Sequence, residues 1–455
     1  MPFKQIVVIG MGYVGIPAAA LFADVEGLMV TGVQRNSQRS GWKIDFLNEG
    51  KCPIGGDEPK LAELIASVVE NKTFHVTDDY TVCKTADAIL IDVQTPVDND
   101  HVPRYESLKS VCFEIGPYLK PNVLLVIEST VAPGTTQFIA KPILEEASGK
   151  VAGKDFYLAF SYERVMVGRL LHNLTNLPRI IGGIDEKSTE LTKELYKNIV
   201  KSELYTTDAL TAEIAKVVEN TYRDVNIAFA NEVAIICESL GVNVFDVRKL
   251  VNTLPNDPSN PAANPYRNMH LPGAGVGGHC LPKDPWLLKF GLDNYGKNRY
   301  TPEIIIHSRK LNEFMPKHTL GLLLKGLTEA NVRISDAKIC ILGLAFIQNS
   351  DDTRNTPTFP LYQLLLEKNA MVMVHDPYVK NYDGIELTND FNKAVINADA
   401  VIFITAHKDY YDIDLSELKN LMRHPVIIDG RNMFFESDCK EHGFIYHGVG
   451  KGKAQ

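Results

Sequence analysis

Short apolar runs alternate along the chain with longer stretches in which apolar residues recur every three or four positions. Gln5–Ile9 reads as a buried parallel strand, and the Ala- and Leu-rich stretch after Gly15 reads as the helix that follows it. Residues 28–33, 88–93 and 123–127 repeat the strand signal, and residues 58–70 carry a helical period between them. Strands alternating with helices predict a parallel, doubly wound sheet. Near Thr207 the pattern changes. Residues 211–240 contain neither Gly nor Pro, and Ile214, Val217, Val218, Val225, Ala228 and Phe229 fall close to the 3.6-residue period of one long helix. A second helix is expected over residues 244–252. Residues 254–285 are rich in Pro, Asn and Gly and too long for a simple connection, as functional loops often are. Strand signals return at Lys338–Leu342, Met371–His375, 400–404 and 426–428. The predicted architecture is an α/β sheet domain, a helical middle and a second α/β sheet domain, with a ligand at the carboxyl ends of the strands, between the two sheets.

Composition narrows the class. A chain of 455 residues exceeds what one core organises, so two or three domains are expected. A formal charge of −9 argues against nucleic acid as a partner. No stretch approaches the ~20 apolar residues of a membrane span. The apolar run 6–23 is interrupted by Gly10, Gly12, Gly15 and Pro17, so it reads as strand, turn and helix rather than as a secretory signal. Seven scattered cysteines without a CxxC pair or zinc spacing predict reduced thiols, a cytoplasmic setting and no metal site.

Three constellations carry chemistry. Gly10-Met11-Gly12-Tyr13-Val14-Gly15 directly follows a strand and opens a helix. The first glycine permits the turn, the second admits a pyrophosphate and the third allows close helix–strand packing, so a dinucleotide is expected here. The usual ribose-binding acid is replaced by Gln34, which offers a ribose hydrogen bond, and Arg35 follows, which would attract the 2′-phosphate of NADP. NAD is favoured over NADP, with the choice left open. In the second constellation, Cys280 lies in the run Gly275-Val276-Gly277-Gly278-His279-Cys280, with Asp284 one turn on if a helix starts there. Little side-chain cover and a soft sulfur nucleophile suit addition to an aldehyde, although a buried structural cysteine on a glycine turn would read the same. His279 adjoins it in sequence and is not assigned as its base. In the third, Lys216 and Asn220 share a helix face at i, i+4, as an oxyanion-holding pair or as an ordinary solvated stripe.

These motifs, together with Thr95-Pro96, Glu128-Ser129-Thr130-Val131, Ser161-Tyr162-Glu163-Arg164-Val165, Gly343-Leu344-Ala345-Phe346, Asp351-Asp352-Thr353-Arg354 and Asp429-Gly430-Arg431-Asn432, resemble the UDP-glucose/GDP-mannose dehydrogenase family almost from end to end. The resemblance implies two Rossmann-like domains joined by a central helical domain with one long helix. Residues 1–207 would bind NAD, 208–325 would form the dimerisation region and cysteine loop, and 326–455 would bind the UDP-sugar. It departs from the family pattern at Gln34, at Tyr162 in place of a proline, at Ile347 in place of a lysine and at Val167 in place of a glutamate. The wording around Cys280 and Asp284-Pro285-Trp286, with Val167, is similar to the branch acting on UDP-N-acetylhexosamines.

The implied reaction is a four-electron oxidation of a primary alcohol to a carboxylate, with UDP-N-acetylmannosamine favoured as substrate. Cys280 would form a thiohemiacetal and then a thioester. Lys216, or a water on Asp284, would take the hydroxyl proton. Glu163 would activate the hydrolytic water with Thr130 and Asp284, and Lys216 and Asn220 would stabilise the oxyanion. Gly10–Gly15, Gln34, Arg35, Thr95, Pro96, Thr130 and Arg354 would hold the cofactor. Glu163, Arg164, Lys216, Asn220, Arg267, Gly273, Gly275, Gly277 and Arg431 would hold the substrate, Arg267 reaching a partner subunit of a homodimer. Such uronic acids resemble precursors of surface polysaccharides. UDP-glucose 6-oxidation, a two-electron dehydrogenase without the cysteine, and a dinucleotide sensor with a decayed site are the competing readings.

Overall fold

The computed structural model describes residues 3–55, 58–98, 100–253 and 268–452. Arg267 lies outside them. The chain forms two compact units, one of residues 1–219 with 286–301 and one of residues 220–285 with 302–455.

The first unit is built on β1 (Gln5–Ile9), β2 (Met29–Val33), β3 (Phe74–Thr77), β4 (Ala88–Ile91), β5 (Leu124–Ile127), β6 (Tyr157–Phe160), β7 (Arg179–Gly183) and β8 (Leu204–Asp208). Their order is β3-β2-β1-β4-β5-β6-β7-β8, which is the dinucleotide-binding order extended by two strands. β4 and β5 are buried along their whole length, as expected of strands covered by helices on both faces. Apolar clusters lie on each face of the sheet, one around Ile89, Leu125 and Phe160, the other around Val8, Leu90 and Phe22.

One pairing departs from the all-parallel expectation. β7 runs antiparallel to β6, with Phe160 opposite Gly182. The short helix Leu170–Asn176 turns the chain back without crossing the sheet. The beginning of β7 consequently lies beside the carboxyl end of β6, which matters below.

The second unit contains β9 (Lys338–Leu342), β10 (Met371–His375), β11 (Leu387–Thr388), β12 (Ala400–Phe403), β13 (Val426–Asp429) and β14 (Ile445–Gly448). All are parallel, in the order β11-β10-β9-β12-β13-β14, the same winding as the first six strands of the other sheet. The two units are thus two doubly wound Rossmann-like folds. Gly10 after β1 and Gly343 after β9 even share a left-handed turn, with φ of +105° and +106°.

The long helix spans Ala209–Leu240 and is capped by Asp208, whose carboxylate accepts the Thr211 N–H at 2.9 Å. Its apolar residues divide between two faces. Val217 and Ala228 are buried, whereas Ile214, Val218, Tyr222, Phe229, Ile236 and Leu240 are exposed. At 100° per residue these six fall within about 80° of one another, a single apolar stripe. Among the described residues, no helix is long and apolar enough to cross a membrane.

Candidate active site

The glycine turn after β1 separates the three glycines by role. A Cβ on Gly10 would stand 2.2 Å from the Asp92 carbonyl oxygen, and one on Gly15 would stand 2.0 Å from that of Gly10. A Cβ on Gly12 would meet nothing within 4 Å. Two glycines therefore serve packing, and the third keeps open the space that a pyrophosphate needs. The turn and the helix Gly15–Ala23 behind it fit a dinucleotide. Gln34 is buried at the end of β2. Its Oε1 accepts the Met11 N–H at 3.2 Å, and its Nε2 donates to Ser40 Oγ at 3.0 Å and to the Arg35 carbonyl at 3.2 Å. Its amide thus braces the turn and its own loop. Arg35 and Tyr13 are exposed.

The carboxyl ends of β4, β5 and β6 carry Thr95, Thr130 and Glu163. Thr95 Oγ1 donates to the Thr130 carbonyl at 2.6 Å. Lys216 is buried and donates from Nζ to the Glu163 carbonyl at 2.8 Å, with the Glu163 carboxylate at 3.7 Å. The Glu163 carboxylate also accepts the Val165 N–H. Arg164 turns to the long helix, where it binds both Glu219 carboxylate oxygens from Nε at 3.1 and 3.0 Å. Tyr162 donates to Glu219 at 3.2 Å, and burial pushes its phenol up to about 12. The structure therefore gathers Thr95 with Thr130, and Glu163 with Lys216.

Beneath these groups lies a polar cluster that joins Glu128 and Ser161 to Arg179, Tyr196 and Asp92, three residues the sequence pattern did not single out. Arg179, at the start of β7, is buried. It donates to Ser161 Oγ and to the Ser161 carbonyl, each at 2.9 Å, and pairs with the buried Glu128. Tyr196 donates to Glu128 at 2.6 Å, and its ring lies 3.8 Å from the guanidinium. Asp92 completes the set. Burial, then the neighbouring Glu128 charge, raises its carboxyl well above the ordinary range. One cation thus ties the ends of β5 and β6, two residues before Thr130 and two before Glu163. The antiparallel turn into β7 is what brings Arg179 there, and no local motif announces it. Glu213 plays a similar part for the Pro133–Thr136 turn, accepting the Gly134 and Thr136 N–H groups at 2.6 and 2.8 Å.

In the second unit the loop of residues 268–283 leads into the helix Asp284–Tyr295. The Cys280 carbonyl accepts the Asp284 N–H at 2.9 Å, so Asp284 does lie one turn beyond the sulfur-bearing residue. Cys280 is partly exposed, whereas five of the other six cysteines are buried, and all seven are free thiols. Asn220 Nδ2 donates to Asp284 Oδ2 at 2.6 Å, and Lys283 Nζ lies 3.7 Å from Asp284 Oδ1. Lys283 is a buried cation missed by the sequence reading; the adjacent Lys-Asp pair at the head of a helix was its signal. His279 is pushed down to about 4 by burial, then by Lys283 and Arg354, so it stays neutral at physiological pH.

The loop glycines are there for close approach. A Cβ on Gly273 would stand 2.7 Å from Arg431 Nη1, one on Gly275 2.7 Å from Pro357 Cβ, and one on Gly277 2.4 Å from Phe346 Cβ. Arg431 donates from Nε to the Ile404 carbonyl at 2.6 Å and from Nη2 to the Gly275 carbonyl at 3.4 Å. Arg354 holds Asp352 with Nε at 2.9 and 3.1 Å from the two carboxylate oxygens, and its carbonyl accepts the Gly278 N–H at 2.8 Å. At the Gly343 turn, Asp376 accepts the Leu344 and Ala345 N–H groups at 2.7 and 2.9 Å. That carboxylate takes up turn amides which a dinucleotide phosphate would otherwise use, so the second fold, though wound like the first, is not a second cofactor site of the same kind.

Models for the NAD-binding, central and UDP-binding domains of the UDP-glucose/GDP-mannose dehydrogenase family match residues 4–200, 210–314 and 340–436. The chain belongs to this family. A UDP-N-acetyl-D-mannosamine dehydrogenase of Pyrococcus horikoshii is 38% identical over 450 residues, which cover 98% of this chain and 99% of that one. A Campylobacter jejuni protein of the same name is 35% identical over 90% of this chain and 97% of its own. The crystal structure of NDP-N-acetyl-D-galactosaminuronic acid dehydrogenase from Methanosarcina mazei Go1 is 44% identical, with a TM-score of 0.91 over 99% of this chain and 96% of that one. The protein is accordingly an NAD-dependent nucleotide-sugar dehydrogenase, with NAD on the first sheet and a UDP-binding domain on the second. Of the family's departures noted above, Val167 and Ile347 are exposed, whereas Tyr162 is buried beside the Glu163–Lys216 pair.

Proposed function

We propose that the enzyme oxidises the C6 alcohol of a UDP-N-acetylhexosamine, UDP-N-acetylmannosamine before others, to the uronic acid in two hydride transfers through Cys280. The observation that carries this reading is the partly exposed residue Cys280 on a glycine loop, one helical turn before an Asp284 carboxylate held by Asn220. NAD would be held by the Gly10–Gly15 turn with Gln34, Thr95 and Thr130, and two NAD molecules bound in succession would each accept one hydride.

The residues divide the remaining work. The C6 hydroxyl proton passes to a water on Asp284 or to Lys216 as an amine. Loss of hydride leaves an aldehyde, which has no second hydride to give until its carbon is tetrahedral. The Cys280 thiolate adds to that carbon, forming the C–S bond of a thiohemiacetal. The donors Lys216 and Asn220 stabilise the oxyanion, at about 2.7–4 kcal/mol for each such donor. Loss of the second hydride leaves a thioester. Glu163 takes a proton from a water that adds to the acyl carbon, and the C–S bond breaks to release the acid and the thiolate. Arg354 supports the cofactor side, and Arg164, Arg267, Arg431 and the glycines 273, 275 and 277 hold the sugar nucleotide.

The test is a substrate panel of the UDP-N-acetylhexosamines and UDP-glucose, with NADH counted per sugar consumed. Two NADH per sugar with UDP-N-acetylmannosamine preferred supports the reading, and one NADH per sugar overturns it. The Methanosarcina mazei relative makes UDP-N-acetylgalactosamine the second substrate to try. Cys280→Ala should form no acid.

The exposed stripe on the long helix supports a homodimer, since six large apolar side chains on one helix face are costly to leave in water. Free thiols throughout and an NAD-dependent reaction support a cytoplasmic setting, and a uronic acid product suits polysaccharide synthesis.

A further inference from the structure

The loop that carries Cys280 has no regular structure, so its shape depends on what holds its ends. Gly273, on one side of the cysteine, donates its N–H to Asn231 Oδ1 at 2.9 Å. Leu281, on the other side, offers its carbonyl to Arg309 Nη1 at 3.4 Å. These two holders are joined. Asn231 Nδ2 donates to Asn312 Oδ1 at 2.9 Å, and Asn312 Nδ2 donates to Asp224 Oδ1 and to the Asp224 carbonyl, both at 2.9 Å. Asp224 Oδ1 in turn accepts from Arg309 Nη1 at 2.5 Å. One unbroken run of hydrogen bonds therefore links the amide of residue 273 to the carbonyl of residue 281.

All four side chains are buried. Asp224 and Asn231 lie two turns apart on one face of Ala209–Leu240, and Arg309 and Asn312 lie one turn apart on Glu303–Glu329. Two helices thus meet through polar groups where hydrocarbon would pack at least as stably, because buried charges and amides are costly unless fully satisfied. What hydrocarbon would not provide is a donor and an acceptor aimed at the two backbone groups that flank the cysteine.

We infer that Asp224, Asn231, Arg309 and Asn312 are positioning residues for Cys280: together they hold the cysteine loop at both ends and set how far its thiol is exposed. The inference rests on Cys280 being the nucleophile, but two of the measurements below need no substrate.

The variant is Asn312→Leu, which keeps the side chain's size and removes its amide. Iodoacetamide labelling of the folded protein, read peptide by peptide with the partly exposed Cys52 as reference, reports thiol exposure. Cys280 labelling should rise several-fold with Cys52 unchanged. Acid formation should lose about 10²-fold in kcat, the cost of an ångström-scale misplacement, with KM for NAD unaltered. Asn231→Asp, which keeps an acceptor for Gly273, should retain more kcat than Asn231→Ala. A folded Asn312→Leu protein with parental labelling and kcat overturns the inference. Should that variant not fold, amide exchange in the unaltered protein decides. Slow exchange at Gly273 N–H, lost in Asn231→Ala, supports the inference, and exchange at the free-peptide rate overturns it. Acid formed by Cys280→Ala would instead refute the nucleophile assignment and leave the labelling result standing.

Discussion

Arg179→Met isolates the cation beneath the first unit's strand ends. Methionine fills much of the volume without charge, so the change is mainly electrostatic. Glu128 is buried with no other cation paired to it among the described ion pairs, and Arg179 is nearly as buried. Removing one partner of such a pair strands a charge in a medium that solvates it poorly, at about 3–5 kcal/mol. The two hydrogen bonds to Ser161 are lost as well. For a unit of this size the unfolding temperature should fall by about 2–4 °C per kcal/mol, hence by roughly 6–20 °C. Calorimetry on Arg179→Met, Glu128→Leu and the double variant makes a closed cycle. The double variant should be more stable than Arg179→Met, because no stranded charge remains. A single variant that melts within about 2 °C of the parent, or a double variant whose losses simply add, would show that the pair is not electrostatically coupled.

Gly12→Val should weaken NAD binding and leave the melting temperature unchanged, whereas Gly10→Ala should lower stability, since its Cβ meets the Asp92 carbonyl at 2.2 Å; NAD titration beside thermal unfolding separates the two. Glu163→Gln should accumulate acyl-enzyme, seen as added mass on Cys280 by intact-protein mass spectrometry, and fast turnover without the adduct would remove its assigned role. Burial pushes Glu213 up to about 7, above the 4.5 of a free glutamate, so the folded state binds its proton more tightly. Its contribution to stability is therefore full below pH about 4.5 and lost as pH rises through about 7, and Glu213→Gln should remove that slope from the melting-temperature profile. The proposed homodimer requires the parent to have a dimer's mass by light scattering, and Phe229→Glu, placed in the exposed stripe of the long helix, should lower it to a monomer's.

Much of this molecule can be read from its chain because local patterns carry local physics. The glycine turn, the strands on either side of it, the long helix and the one-turn spacing of Cys280 and Asp284 all follow from neighbours in sequence, and each stands where its period or turn chemistry places it. The motifs in order also sufficed to indicate the family. Other features required the folded chain. The periodic apolar residues of the long helix look alike in sequence, yet Val217 and Ala228 are buried while Val218 and Phe229 face outward, because packing partners and not periodicity choose between faces. Only the folded chain shows that the Gln34 amide also braces the Gly10 turn, and that the Arg354 guanidinium pairs with Asp352. Arg179 meets Glu128 across 51 positions, and Arg309 meets Asp224 across 85. A buried charge has to find its counter-charge wherever the fold delivers one, and no window of neighbouring residues contains that information.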